Sequence, residues 1–140
     1  MEKRLLFTAV TLNHLAQMRQ FIEQSGKALG AHPEIVADSI VAVNEATTNI
    51  IIHGYGEQLG DIEIVVKAKN DVFSVILFDN APLFDPTHTL PPDLTVHPML
   101  RKPGGLGILM MQEFVDHLEY LRTPDGKNKL IFTKGGSHAI

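Results

Sequence analysis

Hydrophobic residues near the start of the chain have the spacing of a strand followed by a helix. The segment 4–10, RLLFTAV, predicts an opening strand. Apolar residues between 12 and about 29 then recur at helical spacing, which predicts a helix. Thr11 or Asn13 is suited to cap the start of this helix, and Gly30 is suited to end it.

A second, longer helix is predicted to begin at Pro33, because proline is tolerated in the first turn of a helix. Its inward stripe combines apolar residues with small polar ones, and the pattern ends at 53–56, HGYG. The stripe consists of Ile35, Val36, Ser39, Ile40, Val43, Thr47, Ile50 and Ile51.

The remaining pattern is mostly that of strands joined by short turns. Asn70-Asp71 is a polar two-residue link of the kind that closes hairpins. This order of elements favours a helical layer packed on one mostly antiparallel sheet. The predicted elements are strands at 61–69, 72–79, 117–122 and 129–134, a short helix at 108–115 and a turn at 124–126.

Residues 80–107 differ from the rest, because they hold six of the eight prolines and show little periodicity. A long segment of this kind within a compact domain is typical of a functional lid or a linker. Too few residues follow it to build a second core. We therefore expect a single domain over 1–140.

Composition and charge narrow the class of protein. The chain is 44% hydrophobic and 20% charged, as in ordinary globular proteins. A net charge of −4 without a basic run argues against direct nucleic-acid binding. There is no cysteine for a disulfide or a thiolate site, and the apolar runs are shorter than the ~20 residues that span a bilayer. We expect a cytoplasmic protein that does not insert into a membrane.

Three places carry candidate chemistry, and the first is on the second helix. Glu45, Asn49 and His53 stand at i, i+4 and i+8, which puts a carboxylate, an amide and an imidazole on one helical face. A solvated edge of an amphipathic helix explains this pattern as well. Mg²⁺ prefers oxygen ligands, so the Asn49 amide oxygen together with phosphate oxygens is a candidate metal site.

The second place is Asp79, which ends the otherwise apolar strand VFSVILF. A carboxylate there is costly unless it finds a donor, and the amine of a ligand is one candidate. Turn formation by the following Asn80-Ala81-Pro82 is the alternative explanation.

The third place is the sequence KPGGLGI at 102–108, ahead of the predicted short helix. Glycines allow a ligand to approach the backbone closely, and the N–H groups of a helix start favour phosphate. Loops use glycine freely, so this signal is weak alone, and no Walker A motif is present.

Together these motifs resemble those of the GHKL ATPase superfamily. The chain has a helical Glu-x-x-x-Asn-x-x-x-His-Gly, a strand-ending Asp, a long segment and then Gly-Gly-Leu-Gly-Ile. Within that superfamily it is similar to the small anti-sigma-factor serine/threonine kinases of bacterial partner-switching systems. The resemblance covers nearly the whole chain, as far as the closing DGKNKLIFTK.

The resemblance implies a fold and a set of site residues. The fold is the Bergerat fold, an α+β two-layer sandwich whose mixed, mostly antiparallel sheet is covered on one face by about three helices. Residues 80–104 would form the ATP lid. Glu45 would be the general base, Asn49 the Mg²⁺ ligand and Asp79 the residue that binds the adenine amine. The implied ATP-binding residues are Asn49, His53, Asp79, Ala81, Arg101, Lys102, Gly105, Leu106, Gly107 and Asn128.

Two of these positions depart from the usual pattern of the family. Ala81 stands where a glycine is usual, and Asn128 falls about where a threonine is frequent. The resemblance further implies ATP as phosphoryl donor, a serine of an antagonist protein as acceptor, a sigma factor as alternative partner and a homodimer, for which residues 4–29 offer an apolar strand and helix. The other hypothesis is a nucleotide-binding anti-sigma or partner-binding module with little or no kinase turnover.

A third hypothesis, the ATPase domain of a sensor histidine kinase, is less favoured. The chain lacks a pair of dimerisation helices and a phospho-accepting histidine motif.

Overall fold

The fold was obtained as a computed structural model, which describes residues 1–82 and 111–135. Most of the predicted lid at 80–104 therefore lies outside the described residues, as do Arg101, Lys102 and the glycine-rich turn. The predicted helix at 108–115 is described from residue 111, and residues 111–114 are helical.

Five strands form one sheet in the order β1-β2-β3-β5-β4. All four pairs of neighbouring strands are antiparallel, which confirms the prediction of a mostly antiparallel sheet. No parallel pair occurs among the described strands, so the mixed character that the resemblance implies is not seen in them. The strands are β1 (Glu2–Phe7), β2 (Ile62–Lys69), β3 (Val72–Asp79), β4 (His117–Arg122) and β5 (Asn128–Gly135).

The β2–β3 hairpin closes through Asn70 and Asp71, as the sequence predicts. Both residues have positive φ, 53° and 65°. A two-residue turn with positive φ at both positions matches the right-handed twist of the flanking strands, and Asn and Asp tolerate this conformation. The hairpin in turn fixes the register in which Asp79 pairs with Ile62.

The first helical segment begins with a 3₁₀ turn at Leu12–His14 and continues as α1 (Leu15–Ala28). Thr11 caps the turn: its side chain accepts from the backbone of Asn13, and His14 Nδ1 accepts from the backbone of Thr11. These reciprocal bonds satisfy backbone donors that have no helical partner. The prediction of Thr11 as a cap is therefore confirmed.

The second helix, α2 (Pro33–Asn49), starts at the predicted proline, where His32 Nδ1 accepts from the backbone of Glu34. It continues as a π-helix over Ile50–Tyr55 and ends at Gly56, which has a positive φ of 63°. The predicted end is correct. The sequence pattern predicts one α-helical register throughout, so the change to a π-helix at Ile50 differs from the prediction.

The core lies between the sheet and the helices. Alternate strand residues point inward, as period-two patterning requires. By length and composition alone, the helical stretch Pro33–Tyr55 is apolar enough to cross a membrane. Half of its most apolar window is buried inside the fold, and core helices of soluble proteins commonly show the same pattern. The largest buried inward residues of the sheet are Ile62, Ile64, Phe73, Leu77, Leu130 and Phe132.

Candidate functional site

The candidate site lies at the sheet edge where β3 ends. In the register of the sheet, Asp79 is opposite Ile62 on one side and Asn128 on the other, and Asn128 is opposite Arg122. Directly paired residues of neighbouring strands lie on the same face of a sheet. The row therefore places a carboxylate, an amide and a guanidinium side by side on the face that the helices cover.

Asp79 is buried, with only 4% of its surface exposed. Its Oδ1 accepts a hydrogen bond from the backbone N–H of Ala81 at 2.9 Å and another from Asn128 Nδ2 at 2.8 Å. Within the part of the chain that the structure describes, Oδ2 accepts none. Oδ1 thus holds the carboxylate in place, and Oδ2 has no hydrogen-bond partner among residues 1–82 and 111–135.

Burial raises the pKa of the Asp79 carboxyl above its usual 3.8. The hydrogen bonds from Asn128 and Ala81 and the positive charge of Arg122 act in the opposite direction. A desolvated carboxylate of this kind is suited to accept a hydrogen bond from a ligand, because such a bond offsets the lost hydration.

Ala81 is buried and packs against the end of the second helix. A Cβ atom added at Gly54 would lie 3.0 Å from the Ala81 methyl carbon. The space that a side chain at 54 would need is therefore occupied by the Ala81 methyl group. The absence of a side chain at Gly54 leaves room for the Ala81 methyl group.

Tyr55 connects the π-helix to the same loop. Its hydroxyl donates to the carbonyl oxygen of Asp61 at 2.5 Å and accepts from the backbone N–H of Asn80 at 2.9 Å. Burial raises the pKa of the Tyr55 hydroxyl above its usual 10.0, so it remains a donor. The ring covers Gly60, where an added Cβ would lie 2.0 Å from a ring carbon, so that no side chain fits there.

The amide of Asn128 is fully used within the fold. Its Nδ2 donates to Asp79 Oδ1 at 2.8 Å and to the carbonyl oxygen of Ala81 at 3.1 Å. Its Oδ1 accepts from the Tyr120 hydroxyl at 2.6 Å and from Arg122 Nη1 at 3.2 Å. Asn128 therefore joins the edge strand β4 to the Asp79–Ala81 loop.

The polar face of the second helix is only partly as predicted. Glu45 is half-buried and Asn49 is buried, one α-helical turn apart. Among the described residues, the Asn49 Nδ2 atom is the one buried side-chain nitrogen or oxygen without a hydrogen-bond partner. His53 is exposed and lies in the π-helix. The wider π turn disrupts the i, i+4, i+8 alignment that the sequence analysis assumed for His53.

The structure joins three of the predicted site residues by direct contact, namely Asp79, Ala81 and Asn128. Sequence reasoning missed Tyr55, Tyr120 and Arg122. The alternation in HLEYLR places Tyr120 and Arg122 on one face of a strand. Only the register with β5 shows that this face meets Asn128.

Among the described residues, no group of three His, Asp or Glu side chains is arranged to hold a metal ion. Any cation at this site would have to use other ligands, such as an amide oxygen together with oxygens of a bound phosphate.

Sequence comparison assigns the chain to a family of ATPase domains. The profile of the histidine kinase-like ATPase domain matches residues 8–134. The chain therefore belongs to the histidine kinase-like ATPase domain family, which confirms the resemblance seen in the motifs.

Relatives within this family narrow the class further. The chain is 33% identical over 98 residues to an anti-sigma F factor of a Thermoanaerobacter species, an alignment that covers 70% of this chain and 68% of the relative. It is 26% identical over 113 residues to the serine-protein kinase RsbW of Bacillus cereus, covering 77% and 70% of the two chains. It is 31% identical over 94 residues to the serine/threonine-protein kinase BtrW of Bordetella bronchiseptica, covering 66% of each.

A solved structure has the same fold. The crystal structure of the RsbU and RsbW domains of a Mycobacterium tuberculosis protein superimposes with a TM-score of 0.65 and 17% identity. The match covers 96% of this chain and 31% of the longer one. The likeness extends to almost the whole chain and confirms the α/β fold.

Proposed function

We propose that the protein is an ATP-dependent serine/threonine kinase that acts as an anti-sigma factor or partner-switching regulator. The observation that carries this proposal is the buried Asp79, which is anchored through Oδ1 and retains Oδ2 for a ligand. In this proposal Oδ2 accepts a hydrogen bond from the exocyclic amine of adenine. Relatives named as serine-protein kinases support the reaction class.

The residues present fit a nucleotide in two respects. Asp79 is desolvated and therefore gains from a ligand donor. The buried Nδ2 donor of Asn49 has no partner in the described structure, and an unpaired buried donor is costly unless an acceptor of a ligand satisfies it. Both residues lie on elements that pack together in the core, since α2 contacts β3.

In the proposed reaction, Glu45 is the general base. It takes the proton from the hydroxyl of the acceptor serine while the serine oxygen forms a bond to the γ-phosphorus. The bond from that phosphorus to the bridging oxygen breaks, and ADP leaves. Because Glu45 is half-buried, it is partly accessible to the hydroxyl of a docked protein.

Asn49 is the proposed Mg²⁺ ligand, through its amide oxygen. When bound, Mg²⁺ neutralises charge on the β- and γ-phosphate oxygens. Gly105, Leu106 and Gly107 are proposed to contact the phosphates through their backbone, with Arg101 or Lys102 supplying positive charge. His53 is proposed to lie at the margin of the nucleotide, in keeping with its exposed position.

The proposed partners are an antagonist protein that carries the acceptor serine and a sigma factor. Homodimerisation is part of the proposal, and the exposed Leu5, Leu6 and Leu12 offer apolar surface for it. A cytoplasmic location follows from a sigma factor as partner.

The test combines nucleotide binding with phosphoryl transfer. ATP and ADP should raise the melting temperature, and Mg²⁺ should increase the shift, because a ligand that binds only the folded state stabilises it by ~2.7 kcal/mol at a hundredfold excess over Kd. Labelled ATP, Mg²⁺ and the antagonist encoded beside this protein should give a labelled antagonist. No melting shift at millimolar nucleotide would refute ATP binding. Binding of ATP without phosphoryl transfer to the antagonist would support the alternative, a nucleotide-binding module that binds partners and has little or no kinase turnover.

A further inference from the structure

Arg122 lies on the edge strand β4, and none of the motifs of the family includes it. Its Nη1 donates to Asn128 Oδ1 at 3.2 Å, and its Nη2 donates to the carbonyl oxygen of Gly126 at 3.2 Å in the β4–β5 turn. The guanidinium is thus held at two points. Because Arg122 and Asn128 are direct partners in the register of the sheet, the contact is set by the fold.

The chemistry of the two donors to Asn128 differs in one decisive way. The Tyr120 hydroxyl can donate or accept, so it would tolerate either orientation of the amide. A guanidinium has only donors. If the amide were rotated by 180°, its NH₂ group would face Arg122, and its oxygen would face the Asp79 carboxylate and the carbonyl of Ala81. Arg122 therefore favours, from the other side of the amide, the same orientation that the acceptors Asp79 and Ala81 favour.

The orientation of the amide determines in turn how Asp79 is held. With Nδ2 facing the carboxylate, Asn128 donates to Oδ1 and fixes the side chain, which retains Oδ2 for a ligand. Since the same Nδ2 also donates to Ala81, the loop after β3 is fixed by the same group. A chain of three side chains thus runs from the edge of the sheet to the nucleotide site.

We propose that Arg122 is a positioning residue for adenine recognition, which acts through Asn128 to hold the Asp79 carboxylate toward the exocyclic amine. This inference rests on the proposed ATP binding. The Tyr120 hydroxyl also bonds the Asn128 amide, but it does not favour one orientation of that amide over the other. Arg122 itself makes no contact with the nucleotide.

The experiment compares two nucleotides by calorimetric titration of the full chain. The first is ATP, and the second is purine riboside triphosphate, which lacks the exocyclic amine. Arg122→Met should lower the affinity for ATP about tenfold, because it removes a charge-assisted hydrogen bond that orients the Asn128 amide. It should change affinity for the analogue by less than about twofold. Arg122→Lys, which keeps a donor without an acceptor, should recover most of the preference for ATP.

Lys127→Met is the matched control, since it removes the same charge from the same hairpin at a residue that makes no side-chain hydrogen bond to Asn128 among the described residues. It should leave the ratio of the two affinities unchanged. Equal weakening of both nucleotides by Arg122→Met would overturn the proposal, because it would indicate a general structural role or a phosphate contact. An unchanged ATP affinity would also overturn it.

A second measurement needs no nucleotide and separates this proposal from the proposed function. The carboxyl of Asp79 can be titrated by carbon NMR in the free protein, where Asn128, Arg122, Tyr55 and the Ala81 N–H surround it. Arg122→Met should raise the pKa of Asp79, and Lys127→Met should not. If the parent bound neither nucleotide, the function would fail, and this titration would still decide whether Arg122 acts on Asp79. An Asp79 pKa that is the same in Arg122→Met and in the parent would overturn the proposal that Arg122 acts on Asp79 through Asn128.

Discussion

Asp79 and Asn128 are direct partners across β3 and β5, and their side chains are hydrogen-bonded at 2.8 Å. Both are almost fully buried. The Asn128 amide makes four hydrogen bonds within the fold. Asn128 therefore links the end of β3 to the outer strand β4.

We expect Asp79→Asn to lower the affinity for ATP at least tenfold without unfolding the protein. The amide retains an oxygen for Asn128 but presents a poorer hydrogen-bonding face to an exocyclic amine. Calorimetric titration measures the affinity. If the parent and the variant bound ATP with equal affinity, Asp79 would be a turn residue without a role in adenine binding.

The same variant should change how stability depends on pH. Because burial raises the pKa of Asp79 above 3.8, its contribution to stability is complete below 3.8 and is lost as pH rises through the raised pKa. Asparagine does not titrate. As pH rises through this window, the parent loses this contribution and the variant does not. The difference in free energy of unfolding between Asp79→Asn and the parent should therefore shift in favour of the variant. Denaturant unfolding at several pH values measures the difference, and parallel curves would contradict the assignment.

Gly54 and Ala81 should be energetically coupled. Gly54→Ala places a Cβ atom 3.0 Å from the Ala81 methyl, which is overpacked. We expect the substitution to be less favourable by about 1 kcal/mol when residue 81 is alanine than in an Ala81→Gly background. Denaturant unfolding of the four proteins gives this coupling free energy. A value near zero would show that the loop relaxes freely.

Tyr55→Phe should reduce both stability and nucleotide affinity. It leaves the N–H of Asn80 and the carbonyl of Asp61 without their partner, at a cost of about 1–3 kcal/mol in unfolding free energy. ATP affinity should fall as well, because Asn80 adjoins Asp79. Thr48→Val is the control, since its hydroxyl bonds a carbonyl of its own helix away from this loop. A variant with unchanged affinity would restrict Tyr55 to folding.

Glu45→Ala and Asn49→Ala should separate chemistry from binding. Removal of a general base typically lowers the rate by ~10²–10⁴, so Glu45→Ala should lose transfer and keep ATP affinity. Asn49→Ala should lose both, because it removes the proposed metal ligand. Asn44→Ala, on an exposed position of the same helix, should lose neither. Titration and single-turnover transfer measure the two properties, and normal transfer by Glu45→Ala would exclude it as the base.

The sequence predicts most of the fold because strand alternation, helix caps and turn residues are local signals. Val72–Asp79 and His117–Arg122 lie where the pattern places them, and Asn70-Asp71 closes its hairpin. The π-helix at Ile50–Tyr55 was not predictable in this way. Its residues are mostly apolar and compatible with an α-helix, and none of them signals the wider turn in the sequence.

The candidate site was predictable where a residue is unusual for its own element. Asp79 stands out at the end of an apolar strand, and Asn49 lies beside an inward stripe. Arg122 carries no such signal, because an arginine near a turn is ordinary on a surface. Its role depends on the pairing of β4 with β5 and on an amide in the next strand.

The β3–β5 ladder has a consequence for how the chain tolerates changes in length. Residues 83–110 lie in the connection between its two strands, and the entropy of closing a loop grows slowly, by ~0.6 kcal/mol for each doubling. One residue inserted between Asn128 and Leu130 would instead turn every later inward side chain of β5 to the other face. An insertion in the connection should lower the melting temperature only slightly, whereas the insertion in β5 should lower it strongly. The length of the connection is thus a weakly constrained property of the chain, whereas the register that joins Asp79 to Asn128 is a strongly constrained one.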